Sequence, residues 1–185
     1  MAKKLTEKEV HRARICFECG CLPSRKFWSD MINDKGEQYD AVMYFAKQFP
    51  VSEDEIITIE ELQSREEIHA VADNYHWDDN TLDSLYAFIN HPLCDAGTAL
   101  LLFWKGAGYR ILSHNSCPSD DKEEKLFFSE LILRFKAKGF NSYDIAFNPY
   151  SDHYIPPLDE CLKKGYLIPG EFLCPYSTMY VDTNL

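Results

Sequence analysis

Between residues 91 and 104 the chain reads His91-Pro92-Leu93-Cys94-Asp95-Ala96-Gly97-Thr98-Ala99-Leu100-Leu101-Leu102-Phe103-Trp104. Several helix signals meet there. Pro92 ends the preceding connection and sets a turn. Asp95 is a good N-cap for Ala96–Trp104, and Gly106-Ala107-Gly108 closes the element. Gly97 and Ala99 allow close backbone approach, while Leu100, Phe103 and Trp104 are expected to pack inward. The unbroken apolar run is only Ala99–Trp104, where a membrane span needs about twenty residues. This is a core helix.

Outward from it the helical pattern repeats. Upstream, Leu82, Leu85, Tyr86 and Ile89 mark a helix ended at Asn90-His91-Pro92. Before it, Ser64 starts a helix with Ile68, Val71, Ala72 and Tyr75 inward. Thr6 opens another, with Val10, Ala13 and Phe17 recurring to about Glu18. Thr6-x-x-Glu9, Ser52-x-x-Glu55 and Ser64-x-x-Glu67 all match the capping box. Helical periodicity also covers a short stretch after Ser24 (Phe27, Trp28, Met31, Ile32) and Tyr39–Phe49. Downstream, Asp121–Lys138 is the longest helix, with Phe127, Phe128, Leu131, Ile132 and Phe135 inside and Gly139 just past its end. Leu158–Lys164 ends the series as a short helix.

The expected fold is therefore mainly α, a compact multi-helix domain. It leaves room for a short two- or three-stranded β element around Ile56–Ile59 and Tyr143–Phe147. Residues 1–50 form an N-terminal helical part and 51–185 the main domain, packed as one globular unit.

The 185 residues are 45% hydrophobic and 26% charged, which excludes compositional disorder. Met1–Arg14 holds no apolar stretch, so a cytoplasmic protein without a secretory signal is expected. The net charge of −11 argues against a protein that grips nucleic-acid phosphates. That charge is not spread evenly. Residues 52–83 hold eleven acids against Arg65 alone, a net −10, while residues 1–51 carry +2 and residues 84–185 carry −3. One reading is a solvated helical face whose acids favour helix N-termini. The other is a docking surface for a basic partner, built on Glu53, Asp54, Glu55, Glu60, Glu61, Glu66 and Glu67.

Two constellations have the elements of chemistry. Cys16, Cys19 and Cys21 form C-x-x-C-x-C with His11 upstream, the right donor types for zinc but without a second pair at a usual spacing. Buried small hydrophobes are the simpler reading. Cys94, with His91 three residues before it and Asp95 beside it, brings nucleophile, base and orienter types together. Yet Asp95 already serves as a helix cap and Cys94 as a small core residue. The chain has no phosphate loop, dinucleotide fingerprint, nucleophile elbow or zinc-protease helix. No catalytic residue, metal or cofactor is assigned.

A resemblance adds to this reading. His76-Trp77-Asp78-Asp79, followed by His91-Pro92-x-Cys94-Asp95-x-Gly97-Thr98-Ala99-Leu100-Leu101-Leu102-Phe103-Trp104, resembles the signature of a bacterial family of domains of unknown function. Phe128–Phe140, Phe147-Asn148-Pro149 and Ile168-Pro169-Gly170 are similar to its C-terminal part. The likeness covers about residues 64–175 and leaves out the cysteine cluster. It implies no activity, but some members resemble immunity proteins kept beside toxin genes. The expected function is thus a non-enzymatic cytosolic immunity protein. Its acidic segment would cover the basic cleft of a toxin domain, such as a nuclease, with no nucleic-acid or membrane partner. The alternatives are a small enzyme using Cys94 and His91 or a metal at Cys16, Cys19 and Cys21, and a regulatory adaptor.

Overall fold

Asp95 does more than cap one helix. Its Oδ1 accepts the Gly97 N–H at 2.8 Å and the Ile145 N–H at 3.1 Å. Its Oδ2 accepts the Ser142 hydroxyl at 2.6 Å and the Asp144 N–H at 2.8 Å. The side chain is fully buried. One carboxylate thus starts the central helix and clasps the distant 142–145 segment against it, where Ala96 N–H also donates to the Ser142 carbonyl at 3.0 Å. Gly97 is required at this seam. A Cβ there would lie 2.1 Å from the Ile145 carbonyl oxygen, well inside contact distance.

The computed structural model describes residues 2–19, 55–75, 77, 82–112, 122–150, 158–173 and 175–185. Among them are six helices: α1 (Glu7–Ile15), α2 (Arg65–Asp73), α3 (Leu82–Asn90), α4 (Ala96–Lys105), α5 (Lys122–Lys136) and α6 (Leu158–Lys163). Three 3₁₀ turns join them, at Ile59–Glu61, Gly108–Leu112 and Gly170–Phe172. The expected helices after Ser24 and over Tyr39–Phe49 lie outside the described residues. The architecture is mainly α.

Every residue of α4 from Ala96 to Trp104 is buried, so α4 is the axis of the core. On one side α2 packs on it and in turn carries α1; on the other, α5 presents Phe127, Phe128, Leu131, Ile132 and Phe135, all buried as their spacing predicts. Trp104 is 2% exposed, and its Nε1–H donates to the Phe172 carbonyl at 2.8 Å. Phe103 and Phe172 lie 4.4 Å apart between ring centroids. Losing a core aromatic of this kind costs about 3–5 kcal/mol.

Three expectations change. No strand ladder forms among the described residues: Ile57 makes one bridge to Cys16, and Ile145 one to Met179. Near Ile59 a local competitor wins, because Glu61 accepts the Thr58 N–H at 3.0 Å and winds the chain into a 3₁₀ turn. Second, α1 stops at Ile15 rather than Glu18, since Phe17 N–H donates to the Ile57 carbonyl instead of continuing the helix. Third, the turn after α4 takes its left-handed residue from Ala107, at φ 57°, not from a glycine. Gly106 is kept for space: a Cβ there would come within 2.6 Å of the Trp77 ring, which covers this turn.

Among the described residues no helix is long and apolar enough to cross a membrane.

Candidate functional site

The acidic segment divides in two. In α2, Ser64 caps the helix by accepting the Glu67 N–H at 3.2 Å, and the Glu67 carboxylate reaches back to the N–H groups of Gln63 (2.7 Å) and Ser64 (3.2 Å). Glu67 also receives Arg12 of α1, through both Nε and Nη2, and its side chain is fully buried. Glu66, 7% exposed, pairs with Lys3. Asp73 pairs with Lys105 of α4 at 2.7 Å and accepts the Thr183 hydroxyl at 2.5 Å. Each acid of α2 therefore meets a group from another part of the chain. The expectation that Glu66 and Glu67 lie on an open acidic face is corrected: α2 is a buried hub, and its capping box turns Glu67 inward.

The 3₁₀ turn just before it behaves differently. Glu55, Glu60 and Glu61 are exposed. Glu61 serves its own turn through Thr58, and among the described residues no lysine or arginine pairs with Glu60. A hydrogen bond from the Thr58 side chain holds the Glu60 carboxyl below the usual range, so it is ionised at neutral pH. Glu53 and Asp54 lie outside the described residues.

Glu60 stands at the rim of an open groove of about 420 Å³, lined also by Leu62, Ala87, Asn90, His91, Pro92 and Leu93. The end of α3 that forms one wall is held by α5. Arg134 donates to the Ile89 carbonyl and, at 3.3 Å, to Asn90 Oδ1. Asn141 Nδ2 donates to the Pro92 carbonyl at 2.9 Å. His91 ties the other wall: its Nδ1 accepts the Leu93 N–H at 3.1 Å, and the ring hydrogen-bonds the Glu60 backbone. Burial holds its pKa below the ordinary value. The imidazole is neutral and engaged on both sides. Sequence reasoning singled out Glu60 and His91 separately; their meeting across about thirty residues had no signal in spacing.

Cys94 is fully buried, its Sγ directed at the Asp95 carbonyl at 3.7 Å, and burial pushes its thiol up to about 12. A thiol at that value is not a nucleophile at neutral pH. With His91 committed to Leu93 and Glu60, and Asp95 to its four donors, these three side chains serve the scaffold. Thr98 of the same stretch lies 3.0 Å from Nδ1 of the buried His69. At the N-terminal cysteines, Cys16 donates to Glu18 at 3.2 Å, and burial raises both pKa values. Cys19 is buried and Cys21 lies outside the described residues. Among the described residues no three His, Cys, Asp or Glu side chains gather as metal ligands do.

No curated protein and no solved structure matches the chain. A family model does match over residues 63–134, a shorter span than 64–175, running from the start of α2 to Arg134 and including the Asp95 cap and the His91 wall. That stretch is similar to the family described as a domain of unknown function (DUF4274).

Proposed function

We propose that the chain is a cytosolic, non-catalytic binding protein that neutralises a basic partner through Glu55, Glu60 and Glu61. As the sequence resemblance implies, a bacterial toxin domain with a basic cleft, such as a nuclease, is the partner. One observation supports this above the rest. The acids of α2 are committed inside the fold, whereas those of the 3₁₀ turn face outward beside an open groove and leave Glu60 without a cation among the described residues. Exposed like charges of this kind steer a basic partner in and speed encounter.

The test is to co-express the chain with any toxic domain that its neighbouring gene encodes. Cells should survive with the parent chain and die with Glu60→Lys/Glu61→Lys, while the variant melts close to the parent. Survival with the reversed chain would defeat the reading.

A further inference from the structure

We infer that the groove between Ile59–Glu61 and residues 87–93 is a receptor for one arginine side chain from a basic segment of the partner. The inference rests on the acidic docking proposed above and adds the chemistry of its central contact.

Three features select arginine. The first is charge. Glu60 is exposed at the rim, ionised, and hydrogen-bonded to Thr58 rather than paired with a base. Glu61 adds negative field one residue on, so an anion is repelled and a cation favoured. The second is the wall. Leu62, Ala87, Pro92 and Leu93 are apolar, and Leu93 is 38% exposed, which suits the methylene stem of a long basic side chain. A purely apolar ligand would leave Glu60 desolvated and unmatched, at a cost. The third separates arginine from lysine. Where the head group lies against the apolar wall of the open groove it gives up part of its water, and guanidinium is more weakly hydrated than ammonium. It can also meet a carboxylate with two parallel N–H donors, while Asn90 at the same rim offers a polar neighbour.

Neighbouring contacts keep the groove in shape before anything enters. His91 is hydrogen-bonded to both Leu93 and Glu60, and Arg134 and Asn141 brace the end of α3 and the Pro92 carbonyl. A site formed in advance loses little entropy on binding.

The experiment is an NMR titration of the ¹⁵N-labelled full chain with N-acetyl-arginine amide, its lysine counterpart and its citrulline counterpart. Arginine should shift the amides of Glu60, Glu61, Leu62, His91 and Leu93 saturably, with a Kd of the order of millimolar, the range of a single small contact. Lysine should bind at least about threefold more weakly, and citrulline, which keeps the shape without the charge, should give no saturable shift. Glu60→Gln should weaken arginine binding about threefold to fivefold, the scale of a solvent-accessible ion pair. Equal response to lysine and arginine, an unaffected Glu60→Gln chain, or shifts scattered over the surface would overturn the inference. The two readings fail separately. A groove without saturable response in a chain whose protection is lost by Glu60→Lys/Glu61→Lys would remove the arginine site and keep the acidic docking. A groove that binds arginine in a chain whose reversed variant still protects would do the opposite.

Discussion

Two adjacent pieces of the chain, the 3₁₀ turn Ile59–Glu61 and helix α2, open on the same pattern and have opposite fates. Both begin with a hydroxyl residue and a capping box, and both place paired glutamates in the first turn. In the turn the pair faces water. In α2 the same pair is buried against α1 and the N-terminal segment, because Arg12 and Lys3 come from the positively charged beginning of the chain to meet it. A run of acids is thus not one surface. The charge imbalance along the sequence works partly within the molecule, drawing its basic N-terminal segment onto its acidic middle.

The largest expected effect comes from the inward side of this contrast. Glu67→Ala removes the acceptor of Arg12, Gln63 and Ser64 at once in a fully buried position, and should cost about 3–5 kcal/mol, as breaking a buried pair does. Asp95→Ala should be as severe, since four donors lose their acceptor where a simple cap would cost about 1 kcal/mol. Denaturant unfolding measures both. If Glu67→Ala unfolds like the parent, α2 is no hub and the contrast collapses.

Next comes acid sensitivity. His69 of α2 is wholly buried, and burial holds its pKa at about 4, against an ordinary 6.5, despite the acids Asp73 and Asp95 nearby. Below about pH 6.5 the unfolded chain takes up a proton that the folded chain refuses. Stability is therefore full above that pH and falls as the pH drops towards 4. At about 1.4 kcal/mol per unit, the loss reaches roughly 3 kcal/mol. His69→Gln should flatten the decline of melting temperature between pH 6.5 and 4. An unchanged slope would show that another group carries it.

Much of the fold is legible in the sequence because its signals are local. The apolar spacing of Phe127 to Phe135 and the turn chemistry around Asp95 depend on neighbours a few residues apart, and so do the capping residues Thr6 and Ser64. The candidate site is less legible for the same reason. Nothing local distinguishes Glu60 from Glu67; the difference is whether Arg12, fifty-five positions away, arrives. Asp95 reads as a cap, and its other three donors come from Ser142, Asp144 and Ile145, beyond any periodic pattern. His91 and Cys94 look like a base and nucleophile in sequence, but packing gives each a structural partner instead.

A smaller effect sharpens the comparison from its edge. Lys3 is half exposed where Glu66 is nearly buried, so their pair lies between the two regimes. Lys3→Ala should cost about 1 kcal/mol, the upper end for a solvent-accessible pair. The loss should shrink at high salt, because the lysine end of the pair is open to screening ions. The backbone pairing of Lys3 with Tyr180 and Asp182 should survive, keeping the two chain ends together. A cost as large as that of Glu67→Ala would place this pair with the buried ones.

The smallest effect on stability should carry the largest effect on binding. Glu60→Lys/Glu61→Lys changes two exposed side chains, and the structural losses are the Glu61 acceptor for the Thr58 N–H and the Glu60 acceptor for the Thr58 side chain. Each costs less than about 1 kcal/mol, the scale of one exposed cap. Reversing Glu66 and Glu67 as well would confuse the experiment, because those two would unfold α2's contacts and mimic a loss of binding. With the double variant the two effects separate. Parent association with a basic partner should slow as salt rises, since the screening length falls from about 30 Å at 0.01 M to about 8 Å at 0.15 M. In the variant that salt dependence should vanish or reverse, while the melting curve stays near the parent's. A double variant that associates at the parent rate at every salt concentration would make the outward acids of the 3₁₀ turn as irrelevant to recognition as the buried ones of α2.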